Sequence, residues 1–146
     1  MGISAQRDLT SHPLVIGGRC VVRRVTVAQI ALRSTDVAAG TVMALAASTN
    51  KWEPWTDNTA TDGTAHPCGI LLDTLTAATI AAGDMTSVNM VVGDALINED
   101  LITYEGSRAK TDVVNIPANF NKTGEQCLRM FGIELIDTIE ATSYEA

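Results

Sequence analysis

The residues best suited to nucleophilic or metal chemistry in this 146-residue chain are two histidines and three cysteines. His66-Pro67-Cys68 sets an imidazole two positions from a thiol, and in an extended strand those positions share one face. A cysteine nucleophile also needs a separately oriented base, and a structural zinc site needs about four ligands. His12 lies far off, in the N-terminal stretch, and no second cysteine follows Pro67-Cys68 at the spacing of a zinc deaminase. The pattern therefore reads as a loop histidine beside a buried cysteine. Gly17-Gly18 is followed by neither a lysine nor a helical pattern, so it is no phosphate loop, and no Gly-x-Ser-x-Gly elbow exists. The densest acidic cluster, Asn98-Glu99-Asp100, lacks the spacing of a calcium loop and reads as a solvated turn. The expectation is a protein with no catalytic residue, no metal ligand and no cofactor.

Bulk composition narrows the class. A formal charge of −7 and a pI near 4.6 repel phosphates and anionic membranes, which argues against nucleic acid or membrane as a partner. No apolar run approaches the ~20 residues of a membrane span. Met1 to Asp8 lacks the apolar core of a signal peptide, and the widely spaced Cys20, Cys68 and Cys127 read as buried thiols of a reducing cytoplasm. Hydrophobic residues make up 46% but aromatics only 4%, so Val, Ile, Leu, Ala and Met must build the core. Abundant β-branched residues suit a pleated, half-buried surface.

The elements that must position these groups centre on Ala39 to Asp73. A Gly turn and the apolar run Gly40-Thr41-Val42-Met43-Ala44-Leu45 predict one strand, and Cys68-Gly69-Ile70-Leu71-Leu72 predicts another. Between them lie the turn Ser48 to Lys51, the aromatic edge Trp52-Glu53-Pro54-Trp55, and a polar loop from Thr56 to Pro67. Upstream, Arg19 to Arg33 alternates in part, and the adjacent Arg23 and Arg24 predict a wet or interfacial face.

Residues 1–18 contain Leu9 and the short run Leu14-Val15-Ile16, broken by Pro13 and Gly17-Gly18. Two readings stand: an ordinary frayed terminus, or an arm that adds as a strand to a partner's sheet. Residues 19–146 form a single β-rich domain on this reading, with no internal repeat. Downstream, Asp73 to Asp84 reads as one weak helical turn or a loop. Ser87 to Asn98 is a strand with a bulge at Gly93-Asp94, and Asn98 to Lys110 is a surface segment pinned by Leu101, Ile102 and Tyr104. Thr123 to Leu128 opens a short helix. Met130 to Glu140 alternates well, with Phe131, Ile133, Leu135 and Ile139 on the expected buried face.

Several of these segments resemble the head decoration proteins of lambda-type tailed phages. Arg24-Val25-Thr26-Val27 is similar to the family's "Arg-x-Val-Thr-Val" strand, and Ala39-Gly40-Thr41-Val42-Met43 to its "Ala-Gly-Thr-Val-Leu". Lys51-Trp52-Glu53-Pro54-Trp55 sits where members carry "Lys-Tyr-x-Pro-Tyr", followed by Thr61-Asp62-Gly63-Thr64 and Gly69-Ile70-Leu71 in the expected order. Val91 to Asn98 resembles "Val-Val-Arg-Asp-Ala-x-Val-Asn", with Gly93 in place of the basic residue. The resemblance implies a mainly β, β-clip-like fold with at most one or two short helices, assembled as a homotrimer. It further implies a cementing protein without enzymatic activity, made in the host cytoplasm. Its place would be the outer surface of the expanded head, on the major capsid protein, with N-terminal arms ordered by pairing to capsid strands.

On that basis Leu9, Leu14, Val15 and Ile16 are the expected capsid-binding contacts of the arm. Trp52, Pro54 and Trp55 are expected at the trimer contact, because large aromatics are enriched at interfaces. The competing expectation has the tryptophans cover the end of the subunit's own core. Two other functions stay open at this stage. One is a trimeric β-clip enzyme such as a nucleotide hydrolase, since fold does not fix function. The other is a virion-surface module that stacks glycans on Trp52 or Trp55.

Overall fold

The computed structural model describes residues 13–137. Two long strands, β1 (Val15–Val27) and β5 (Met85–Asn98), run antiparallel along almost their whole length, from Val15↔Ile97 to Val27↔Met85. Three short strands lie between them in sequence: β2 (Val42–Ala46), β3 (Lys51–Pro54) and β4 (Pro67–Leu71). After β5 come a small β6 (Val113–Val114) and β7 (Lys122–Thr123) ladder and then β8 (Ile133–Ile136), which joins β5 in parallel. The fold is mainly β with two short α-helices, as expected.

The strands close into a ring. β1 pairs β3, β3 pairs β2, β2 pairs β4, β4 pairs β5, and β5 returns to β1. Closure into a barrel-like sheet removes most of the edges that an open sheet would expose. One seam is minimal: β1 meets β3 only at Val27↔Trp52, reinforced by the Ala28 N–H donating to the Trp52 carbonyl at 2.9 Å. Along Val15 to Thr26, β1 therefore keeps one edge without a strand among the described residues.

Strand periodicity sorts the apolar side chains into two cores. Met43, Leu71, Met90, Val27 and Trp52 form a cluster that takes side chains from every strand of the ring, as the inside of a small barrel does. Their sequence neighbours Val42, Ala44, Ile70 and Val91 point the other way, into a core shared with Trp55, Ile97, Leu128, Ile133 and Leu135. Both faces of β2 and β4 are thus buried, which is why these strands read as continuous apolar runs.

Helix α1 (Ala77–Ala82) plugs Ile80 into the barrel-side core, and its Thr76 N-cap accepts from the Thr79 N–H. The helical turn outcompetes the loop reading because this cap satisfies a first-turn donor that Thr content alone did not. Helix α2 (Gly124–Arg129) begins with a full capping box between Thr123 and Gln126 and buries Cys127 and Leu128.

Two sequence expectations change here. Gly17 and Gly18 do not end the first apolar run; they lie inside β1. Gly18 has φ +85°, and a Cβ there would sit 2.5 Å from the Asp94 carbonyl oxygen, so glycine lets the two long strands touch at an irregularity in register. The segment after β5 turns as a 3₁₀ helix, Glu99–Leu101, in which Leu101 is exposed while Ile102 and Tyr104 pack on the core around Trp55.

Candidate functional site

The groups that invited a chemical reading are held apart. His66 sits just before β4, where its Nε2 bonds the Ile116 carbonyl and its ring meets Phe120 edge-on at 5.1 Å. Cys68 points into the barrel-side cluster, where burial pushes its thiol up to about 12. Cys127 lies in the other core, raised to about 11 by the same cause. Both thiols are protonated and unreactive at neutral pH. Glu99 is taken up by Lys110 at 2.5 Å, and Asn98 accepts from the Asp100 N–H at 3.1 Å. His12 lies outside the described residues, and among those described no three His, Cys, Asp or Glu side chains converge as a metal site.

Trp52, Pro54 and Trp55, expected at the trimer contact, are all buried within the subunit. Trp55 has no exposed surface: its Nε1 donates to the Ala65 carbonyl at 2.8 Å, its ring meets Tyr104 edge-on at 6.4 Å, and it covers Gly124. Trp52 is 7% exposed and lies over Gly69 on the barrel side, while Pro54 is buried at the end of β3. Each indole fills the space that a missing Cβ leaves. These residues have almost no area to offer a neighbouring subunit, and no stacking platform to offer a glycan. Of the two expectations, covering the subunit's own core is the one the packing meets.

The arm residues divide. Leu9 lies outside the described residues. Leu14 and Val15 pack on the core around Trp55, and the Leu14 carbonyl accepts from the Asn98 N–H at 2.8 Å. Val15 pairs with Ile97 as the first residue of β1, and Ile16 follows it half-buried. The segment from Leu14 onward therefore belongs to the subunit's own sheet, because β5 supplies a partner strand long enough to reach it.

The outer surface of β1 is the wet face that Arg23 and Arg24 predict, and it extends to residues the sequence did not single out. Arg19, Val21, Val22, Arg23 and Arg24 are all exposed along the strand that keeps an open edge. Elsewhere Arg33, Lys51, Arg108, Lys110 and Arg129 each have a carboxylate within 2.5 to 3.4 Å. Arg19, Arg23, Arg24 and Lys122 have none among the described residues. Beside this strand the Asp94 N–H reaches the Phe131 carbonyl at 3.4 Å, which sets Phe131 at the surface, 48% exposed, next to Met130 at 61%. Phe131 was expected on the buried face of the last strand. It lies instead in the turn before β8, where Gly132 at φ +80° redirects the chain. The doubled arginine and the Val21-Val22 pair were the available signal for this surface.

No curated protein and no solved structure matches the chain. The family model described as bacteriophage lambda head decoration protein D does match, over residues 16–121, from the start of β1 through the ring to the loop before β7. That span is well over half of the 146 residues, and the chain belongs to this family of structural phage head proteins.

Proposed function

We propose that this protein cements the phage head as a homotrimer on the outer surface of the expanded capsid, stabilising the lattice of the major capsid protein. Beside family membership, the observation that carries the reading is the unpaired edge of β1 from Val15 to Thr26. An extended segment adds to such an edge through main-chain hydrogen bonds, with side chains giving specificity. On this reading the residues before Pro13, Leu9 among them, pair with strands of the capsid protein, and Leu14, Val15 and Ile16 anchor that pairing to the subunit.

Three arms on one body make the second and third contacts intramolecular, so modest single-arm affinities multiply. Binding the expanded lattice and not its precursor stabilises the former by mass action. A chain of net charge −7 is suited to the outside of a particle packed with DNA. The exposed Val21, Val22, Met130 and Phe131 supply apolar area for contacts between subunits, which in a cyclic trimer join two different faces.

The test combines mass and binding. Sedimentation equilibrium is expected to give three chains per particle, and the trimer is expected to co-sediment with expanded heads stripped of decoration protein. Removing residues 1–12, which leaves β1 whole, is expected to abolish co-sedimentation while the trimer persists. A monomer that ignores expanded heads would end the proposal, and full binding by the truncated chain would end its arm mechanism.

A further inference from the structure

A cleft of about 730 Å³ opens at the end of the ring beside the β2–β3 turn, lined from all five strands of the ring and from the turn before β8. That volume lies within the ~300–1,000 Å³ typical of small-molecule sites, which often occupy barrel mouths. Its apolar lining includes Leu45, Trp52, Cys68 and Val92, and its polar lining includes Arg23 and Arg24. No aspartate or glutamate lines it, in a chain whose net charge is −7. The two guanidiniums have no carboxylate partner among the described residues, whereas most other cations of the molecule are matched.

The rim adds polar groups that are equally uncommitted. Thr26, Asn50, Thr86 and Ser87 line the same opening, and their side chains make no hydrogen bond among the described residues. Asn50 and Ser87 hold φ of +57° and +59°, and Ser87 does so within β5, where a regular strand residue would stay extended. A thiol pushed up to about 12 at Cys68 leaves the floor uncharged.

From this arrangement we infer that the barrel mouth is a binding site for a small amphiphilic organic anion, a carboxylate or sulfonate on an aromatic or short aliphatic body. Arg23, on the same face of β1 as Val25 and Val27, takes the charged end in two-pronged hydrogen bonds, and Arg24, on the opposite face, adds positive charge at the rim. Leu45 and Val92, with the sliver of Trp52 that reaches the cleft, take the apolar body. A cationic ligand finds no carboxylate here, and a nucleic acid strand needs a basic track longer than two arginines. The site asks nothing of the arm or of the capsid, and of the proposed subunit contact it shares only Phe131.

The probe is 8-anilinonaphthalene-1-sulfonate, added to the full chain in dilute buffer. Saturable, one-to-one, blue-shifted emission with quenching of tryptophan fluorescence is the expected result. The double variant Arg23→Ala/Arg24→Ala, whose side chains are exposed, is expected to bind about tenfold or more weakly with unchanged melting. The neutral analogue N-phenyl-1-naphthylamine is expected to bind poorly, and Leu32→Ser, which removes an exposed apolar group outside the cleft, to bind as the parent does. Undiminished binding by the double variant, equal binding of the neutral analogue, or loss of binding in Leu32→Ser would each overturn the assignment.

Discussion

Arg33 and Glu105, 72 residues apart, face each other as a two-pronged pair, Nη1 to Oε1 at 2.5 Å and Nη2 to Oε2 at 2.6 Å. The remaining guanidinium donors reach the carbonyls of Thr35 at 2.7 Å and Asp36 at 3.0 Å. One side chain thereby ties the turn after β1 to the loop after β5, with both partners mostly shielded from solvent. The hydrogen bond to Glu105 is the largest cause of the upward shift of the Arg33 pKa. Glu105→Gln or Arg33→Ala is expected to cost about 2 kcal/mol in urea unfolding. Arg33→Lys should fail to restore it, because an ammonium cannot reproduce the planar fork. Full rescue by lysine would show that charge alone matters at this place.

Trp55 is a core residue, and its substitutions separate packing from assembly. Trp55→Ala is expected to lose about 3–5 kcal/mol, a large share of the ~5–15 kcal/mol that holds a domain together. Trp55→Phe keeps most of the contact but strands the Ala65 carbonyl, for about 1–3 kcal/mol. Gly124→Ala presses a Cβ to 2.6 Å from the indole and should cost about 1–3 kcal/mol by overpacking. Circular dichroism melts read all three. A Trp55→Ala chain that melts normally yet fails to trimerise would restore the interface reading.

Gly18 governs how the open strand is held. Its positive φ and the Asp94 carbonyl oxygen leave no room for a side chain. Gly18→Ala is expected to destabilise by about 2 kcal/mol or more, and to raise amide exchange over Val15 to Val21 ahead of the rest of the sheet. Uniform exchange across β1 and β5 in that variant would contradict this account.

Glu53 carries a pH signature. Burial first, and then the charge of Asp62, raise its pKa above the ordinary 4.5. A carboxyl whose pKa rises on folding favours the fold while protonated, and that contribution disappears as pH climbs through the folded value. At neutral pH the ionised Glu53 therefore weighs against stability. Glu53→Gln is expected to raise the melting temperature at pH 7, by the equivalent of under about 1 kcal/mol, with the gain vanishing below about pH 4. Asp62 has the opposite sign. Its hydrogen bonds from Thr64 lower its pKa, so its contribution is present above 3.8 and fades as pH falls further. A gain in Glu53→Gln that is constant from pH 4 to 8 would exclude the linkage.

Local chemistry was legible in the residues alone. The apolar runs Val42 to Leu45 and Ile70 to Leu72, the bulge at Gly93-Asp94 and the Thr123-x-x-Gln126 box each name an element, because short runs, turns and caps are properties of a few adjacent residues. Motif order named the family, and the model match over residues 16–121 agrees with it. Which strands would meet was another matter. The ring is closed by pairs such as Val27↔Trp52 and Val15↔Ile97, joined across long stretches of chain, and a side chain's period says which face it shares but not what lies opposite. That is why the tryptophans went to the cores through glycines 69 and 124, why the first strand reached back to Val15, and why Phe131 ended at the surface. Contacts between distant segments exist only once the chain has closed on itself, so burial at those places was decided by the tertiary structure.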